Sequence, residues 1–265
     1  DVYKRQRTNR FIANALDINL PELEVKIDEK GTIRGIEQLY QDESHQLVEE
    51  CMIVANEAVA FELNKRKIPF LSRFHAPPAE HDIEELQNHL KTLGIYTGNL
   101  KDPAKLSKFL NSLSGDLLDY HIRLSILKSM RRAIYSANEE GHFGLAKKHY
   151  CHFTSPIRRY PDLIVHRQLA YALGYNKMIN DFCYNQKDLV PLANHCTQRE
   201  QIATEAEYNA NEIKVYRYLN DLLSKHEKII ADAVIMMITP RGIFAEMPVY
   251  QIEGYIPVSY THLRA

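Results

Sequence analysis

Long apolar runs are missing from this sequence. None of its hydrophobic stretches approaches the roughly 18 residues that would cross a bilayer, and no charged, apolar, then small-residue pattern of a secretory leader opens the chain. The expected setting is cytoplasmic, with no membrane partner. Cysteine is scarce: Cys51, Cys151, Cys183 and Cys196 lie far apart, with no CxxC pair and no paired histidine spacing. That argues against a zinc site or a disulfide framework, and for four idle thiols in a reducing compartment. Glycine (10) and proline (11) are too few and too scattered for disorder or a collagen-like chain. Net charge is almost absent, at −1, and by itself gives nucleic acid no support. What is present is ordinary: 265 residues, 45% apolar and 25% charged, enough for one large domain or one and a part.

The charge is unevenly placed. Residues 17–91 hold 16 acidic against 8 basic side chains, whereas residues 120–170 hold 9 basic against 3 acidic, with five of the twelve histidines. Such asymmetry inside a neutral chain suits a local polyanion site, and equally a solvated helix face. Apolar periodicity predicts an α+β chain. A β-hairpin is expected over 22–40, turning at Gly31, then a helix from Asp42 or Ser44 to about Lys67. That helix should bury Leu47, Cys51, Val54, Ala58 and Phe61, with Val48 and Met52 on the packed side and Glu49 off it. A short strand is expected at 68–74, and helices at 83–93, 103–113 and 117–136. A glycine loop is expected at 141–144, a strand at 150–155, and helices at 161–173 and 189–223. After a charged hinge at 225–228 come three strands, near 229–238, 243–247 and 254–257. They are too few to close a barrel, and read as the start of a second domain.

The most informative stretch is Gly141-His142-Phe143-Gly144-Leu145, followed by Tyr150-Cys151-His152-Phe153-Thr154-Ser155-Pro156-Ile157-Arg158-Arg159-Tyr160-Pro161-Asp162-Leu163. Thr154 and Ser155 offer hydroxyls, and Pro156 denies helix to Ser155. Arg158 and Arg159 follow at the mouth of a helix whose N-terminal amides add positive potential. A planar guanidinium donates two parallel hydrogen bonds to a phosphate. The combination describes a phosphodiester site; the competing reading pairs one arginine with Asp162 and leaves the other solvated. Tyr150, His152, Phe153 and Tyr160 interleave aromatics with the basic groups, as single-strand sites do, though at least two of the four suit core packing. Arg167 and His166 follow on the helix, where a structural role competes with RNA contact.

Those residues resemble the signature of the ribonuclease II and ribonuclease R family of 3′-to-5′ exoribonucleases, on the ribonuclease R side. Further segments agree in order: NALDINLPELEVKIDEKG, QDESHQLVEECMIVANEAVA, KIPFLSRFHAPP, LKSMRRAIYS and HCTQRE. The resemblance implies the C-terminal, helix-rich portion of an RNB-type catalytic domain over 7–224, then the first strands of a truncated OB-fold barrel over 228–258. It implies cleavage of single-stranded RNA to 5′-monophosphates with Mg²⁺. Arg158 and Arg159 fall on the catalytic phosphate contacts, and Glu49 on the residue that reads the terminal ribose through its 2′-OH. Thr154, Ser155, Tyr150, Tyr160 and Arg167 complete the implied RNA site. For Glu49 the competing reading is a solvent-facing helix carboxylate.

Departures from the family pattern bear on activity. The four-aspartate cluster that holds magnesium is not in this chain, so no metal ligand is expected here and the isolated chain is expected to be inactive. A non-catalytic RNA-binding relative is the alternative reading. Gln201 and Tyr208 stand where the family has arginines, Ile18 where it has phenylalanine, and Lys128 where it usually has arginine. Residues 1–6 and 259–265 match no part of the pattern and read as foreign termini.

Overall fold

The computed structural model describes residues 2–113, 117–175, 183–225 and 228–261. Among the described residues, helices are interspersed with short strands that form three small antiparallel sheets, an α+β architecture. The chain divides into two units: Asp1–Ile18, Asp42–Ser112 and Ile126–Ile202 form one, and Asn19–Gln41, Leu113–Ser125 and Ala203–Ala265 the other.

The first unit opens with α1 (Val2–Ile12), which takes in residues 2–6. In α2 (Glu43–Lys65), Asp42 caps the helix by accepting the Ser44 and His45 amides at 2.9 and 3.0 Å. The buried face of α2 is not the expected apolar stripe. Glu50, Ile53, Asn56, Ala60 and Leu63 are buried, while Leu47, Val48, Cys51, Met52, Val54, Ala58 and Phe61 are exposed. Polar partners decide the rotation. Arg10 reaches Glu50 from α1, and Asn56 serves residues 150–153, so two polar positions face inward satisfied.

Beyond it lie β3 (Ser72–Phe74), α3 (Glu80–Thr92) and α4 (Pro103–Asn111), the last with Pro103 in its first turn and Asp102 as cap. The helix expected over 117–136 ends early: α5 covers Leu117–Ser129, and residues 134–136 form β4, which pairs antiparallel with β3. The strand expected at 150–155 is reduced to a single bridge between Cys151 and Ser72. α6 (Tyr160–Ala172) follows, and then α7 (Gln186–Ser224), whose first part belongs to this unit. Two apolar clusters of this unit lie among the described residues. Leu71, Tyr135, Ile164, Leu189, Ala193 and Cys196 make one, and Ala60, Leu63, Phe70, Cys151 and Val165 the other. Each fully buried aliphatic side chain contributes about 1.5–3 kcal/mol.

In the second unit, β1 (Glu22–Ile27) and β2 (Ile33–Leu39) form the expected hairpin, with Gly31 at φ +80° and the Lys30 and Thr32 amides held by Asp28. β5 (Val234–Thr239), β6 (Gly242–Met247) and β7 (Ile252–Pro257) make an open antiparallel sheet, followed by α8 (Val258–Thr261). Gly242 is obligatory there, because a Cβ would lie 2.4 Å from the Ile256 carbonyl oxygen. Val215, Leu219 and Ile252 form the buried cluster of this unit, with Leu23 and Ile36 packed on it.

Candidate functional site

Pro156 keeps Ser155 out of helix, and the chain turns there. The amides of Arg158 and Arg159 both donate to the Ser155 carbonyl, at 3.3 and 3.0 Å. Arg159 occupies the cap position of α6, with Pro161 in the first turn. Asp162, wholly buried, closes the turn from inside: its Oδ1 accepts the Ser155 amide and Arg159 Nη2, each at 2.8 Å. A buried carboxylate is costly unless paired, and Arg159 supplies the pairing charge. The hydroxyl of Thr154, Arg159 Nε and Asp162 Oδ2 are sealed in the same stretch with no hydrogen-bond partner.

Arg158 points the other way. It is exposed, and its guanidinium makes no hydrogen bond or ion pair with the described residues. Of the two cationic forks expected at this helix mouth, one is free for an anion and the other is committed to Asp162. The first turn of α6, which begins two residues after Arg158, favours negative charge at its N-terminus.

The other candidates separate in the same way. Tyr150 is 6% exposed; its hydroxyl accepts from Asn56 and its ring packs edge-on against His142 and His152, so it offers no face to a base. Phe153 stacks on His166 at 4.1 Å, and the His166 ring reaches back to the Phe153 carbonyl at 2.9 Å. Tyr160 is exposed, and hydrogen bonding with Tyr184 pushes its phenol above its ordinary pKa. Arg167 donates to the same Tyr184 hydroxyl at 3.3 Å. Glu49 is neither free nor core. It lies 3.7 Å from Arg7 and from Arg10, while its neighbour Glu50 is wholly buried against Arg10. Thr154, Ser155, Arg158 and Arg159 are thus gathered in one turn, and Glu49 has its partners on α1.

Sequence reasoning missed a layer behind the turn. Arg73 on β3 donates to Glu200 Oε2 at 2.6 Å and lies over the Tyr135 ring. The Tyr135 hydroxyl approaches Glu200 Oε1 at 3.4 Å and His152 Nδ1 at 2.9 Å. These residues come from positions 73, 135, 152 and 200, so no local pattern could announce them. A second clamp involves His75. Its amide donates to Gly141, its carbonyl accepts from Phe143, its Nδ1 accepts from Gly144, and its Nε2 reaches the Arg131 carbonyl. His142 accepts the Leu145 amide. Burial lowers the pKa of His75, and lowers that of His142 to about 3. An open cleft of about 700 Å³ lies beside this loop, lined among others by Asn64, His75, Lys148 and His149.

A model of the RNB domain matches residues 1–175. The chain belongs to the RNB domain family. Over 92% of its length it is 37% identical to ribonuclease R of Thermotoga maritima, and over 97% it is 35% identical to ribonuclease R of Aquifex aeolicus. These stretches are 34% and 36% of the two relatives, so the RNB chain spans about a third of the length of the curated relatives it matches. Among solved structures, Mycoplasma genitalium RNase R in complex with ribose methylated single-stranded RNA superposes with a TM-score of 0.81 at 29% identity, covering 97% of this chain and 40% of that one. Among the described residues of this RNB chain, no three His, Cys, Asp or Glu side chains gather to hold a metal ion, and no helix is long and apolar enough to cross a membrane.

Proposed function

We propose that the chain is the RNA-gripping portion of a 3′-to-5′ exoribonuclease, and that Arg158 holds a phosphate of single-stranded RNA. The observation that carries this reading is the exposed Arg158 guanidinium, without a partner among the described residues, on a turn that Asp162 fixes from within. A fork pre-positioned in this way loses little freedom on binding and can meet a phosphate with two hydrogen bonds. The names of the ribonuclease R relatives support the activity, and the RNA in the Mycoplasma complex supports the ligand. Residues 7–224 would be the C-terminal part of the catalytic domain, and 228–258 the opening strands of an OB-fold. In this reading exposed Tyr160 would contact a base, and Glu49 would accept a hydrogen bond from a ribose hydroxyl once it yields its arginines.

Magnesium is the metal such a nuclease would use, but the described residues do not fit it, since no ligand cluster is present among them. This chain's own residues bind and orient the backbone and balance the charge of one phosphate.

The test is RNA binding by the 265-residue chain, read by fluorescence anisotropy of a labelled single-stranded oligoribonucleotide across a salt series. Arg158→Ala should weaken binding and reduce the slope of log affinity against log salt by about 0.7. Arg158→Lys should recover the slope but not all of the affinity, because an ammonium lacks the two-pronged geometry. With magnesium added, the RNA should stay intact. An alanine variant that binds as tightly as wild type, with the same salt slope, would remove Arg158 from the site.

A further inference from the structure

His152 stands two residues before Thr154, where it enters the turn that presents Arg158. Its Nδ1 lies 2.9 Å from the Tyr135 hydroxyl, and that hydroxyl lies 3.4 Å from Glu200 Oε1. One phenolic proton must serve one of the two. The shorter separation is an ordinary hydrogen bond, whereas 3.4 Å is long for an O–H donor. Glu200 meets Arg73 through its other oxygen, Oε2, at 2.6 Å. On distance the phenolic proton is assigned to Nδ1, which leaves the single imidazole proton on Nε2.

That second nitrogen has no hydrogen-bond partner among the described residues. It is also absent from the sealed, unpartnered polar atoms of this region, which are Thr154 Oγ1, Arg159 Nε and Asp162 Oδ2. Solvent reaches it. Burial, and then the charges of Arg159, Arg73 and Arg158, hold the imidazole pKa down to about 2, so the ring stays neutral. The guanidinium charges that add to the effect of burial also favour an anion at the same place.

We propose that His152 donates its Nε2–H to a phosphodiester oxygen of the RNA held by Arg158, with Tyr135 as the positioning residue that fixes the tautomer. The inference rests on the RNA-binding reading above and adds to it an uncharged contact. An uncharged donor displaces no counterion, so its contribution is independent of salt, unlike that of Arg158.

The experiment uses the 265-residue chain, the same labelled single-stranded oligoribonucleotide, and the variants His152→Ala, His152→Gln, Tyr135→Phe and Arg158→Ala. His152→Ala should weaken binding about tenfold at every salt concentration, leaving the salt slope at the wild-type value. His152→Gln, whose amide nitrogen falls near the position of Nε2, should recover most of the affinity. Long-range ¹H–¹⁵N spectra of the free protein should show His152 as the Nε2–H tautomer, and a mixture of tautomers in Tyr135→Phe. If Arg158→Ala weakens binding while His152→Ala and His152→Gln both bind as wild type, His152 is a structural ring and the RNA reading stands without it. An Nδ1–H tautomer in the wild-type spectrum overturns the inference whatever the affinities. If the wild-type chain shows no RNA binding, the reading fails and the inference with it. Should the alanine variant fail to fold, the glutamine variant and the spectra decide.

Discussion

Arg159 and Asp162 face each other across the first turn of α6, guanidinium to carboxylate at 2.8 Å, on the inside of a loop whose outside carries Arg158. Two adjacent arginines thus divide their work, one fixing the turn and the other presenting charge to solvent. Removing a partner of a buried pair strands the remaining charge, at a cost of about 3–5 kcal/mol. Asp162→Ala is therefore expected to lose stability in that range by urea denaturation. Asp162→Asn, which can still accept the Ser155 amide, is expected to lose less. An alanine variant as stable as wild type would show that Arg159 finds solvent without penalty.

Adjacent glutamates on α2 provide a matched comparison. Glu50 is wholly buried, and its Oε1 accepts from Arg10 Nε at 3.0 Å; Glu49 is partly exposed and stands 3.7 Å from its arginines. Glu50→Gln should destabilise the chain by about 3 kcal/mol. Glu49→Gln should change stability by less than about 1 kcal/mol. Thermal or urea unfolding of the two variants side by side checks this, and equal losses would contradict the burial difference.

Acid should weaken the fold before its carboxylates titrate. His142 and His152 are held neutral in the native chain, with pKa values lowered mainly by burial to about 3 and about 2 from 6.5. Below pH 6.5 the unfolded chain binds protons that the native chain refuses, so stability falls as pH drops towards those lowered values. Each histidine contributes a slope of about 1.4 kcal/mol per pH unit well below 6.5. The urea midpoint measured at pH 5.5 should therefore be lower than that at pH 7.5. His142→Phe should lose part of that dependence. A wild-type midpoint that does not move would show that both rings are protonated in the folded state.

How much of this was legible beforehand depended on whether the partners were near in sequence. The hairpin at 22–40 was readable, because Asp28 and Gly31 make their turn within five residues. The turn at 155–159 was readable too, since Pro156, two arginines and Asp162 sit within eight positions. Even the pairing of one arginine with Asp162 was open to inspection there. The inward face of α2 was not readable. Apolar spacing favours Leu47, Val54 and Phe61, whereas Arg10 and the 150–153 segment, distant along the chain, draw Glu50 and Asn56 inward. Residues 150–155 alternate like a strand, yet Asn56 takes the Phe153 amide and a side-chain bond replaces the ladder. The array of Arg73, Tyr135, His152 and Glu200 exists only once the chain has folded.

His75 fastens two separate stretches, the 141–144 loop and the Arg131 carbonyl, through four different atoms. Because these bonds converge on one residue, the amides of His75, Phe143 and Gly144 cannot be released one at a time. In hydrogen-exchange terms they form a single opening unit, sharing one protection factor and one opening free energy. The loop is therefore timed by a residue nearly seventy positions away rather than by the glycines that let it bend.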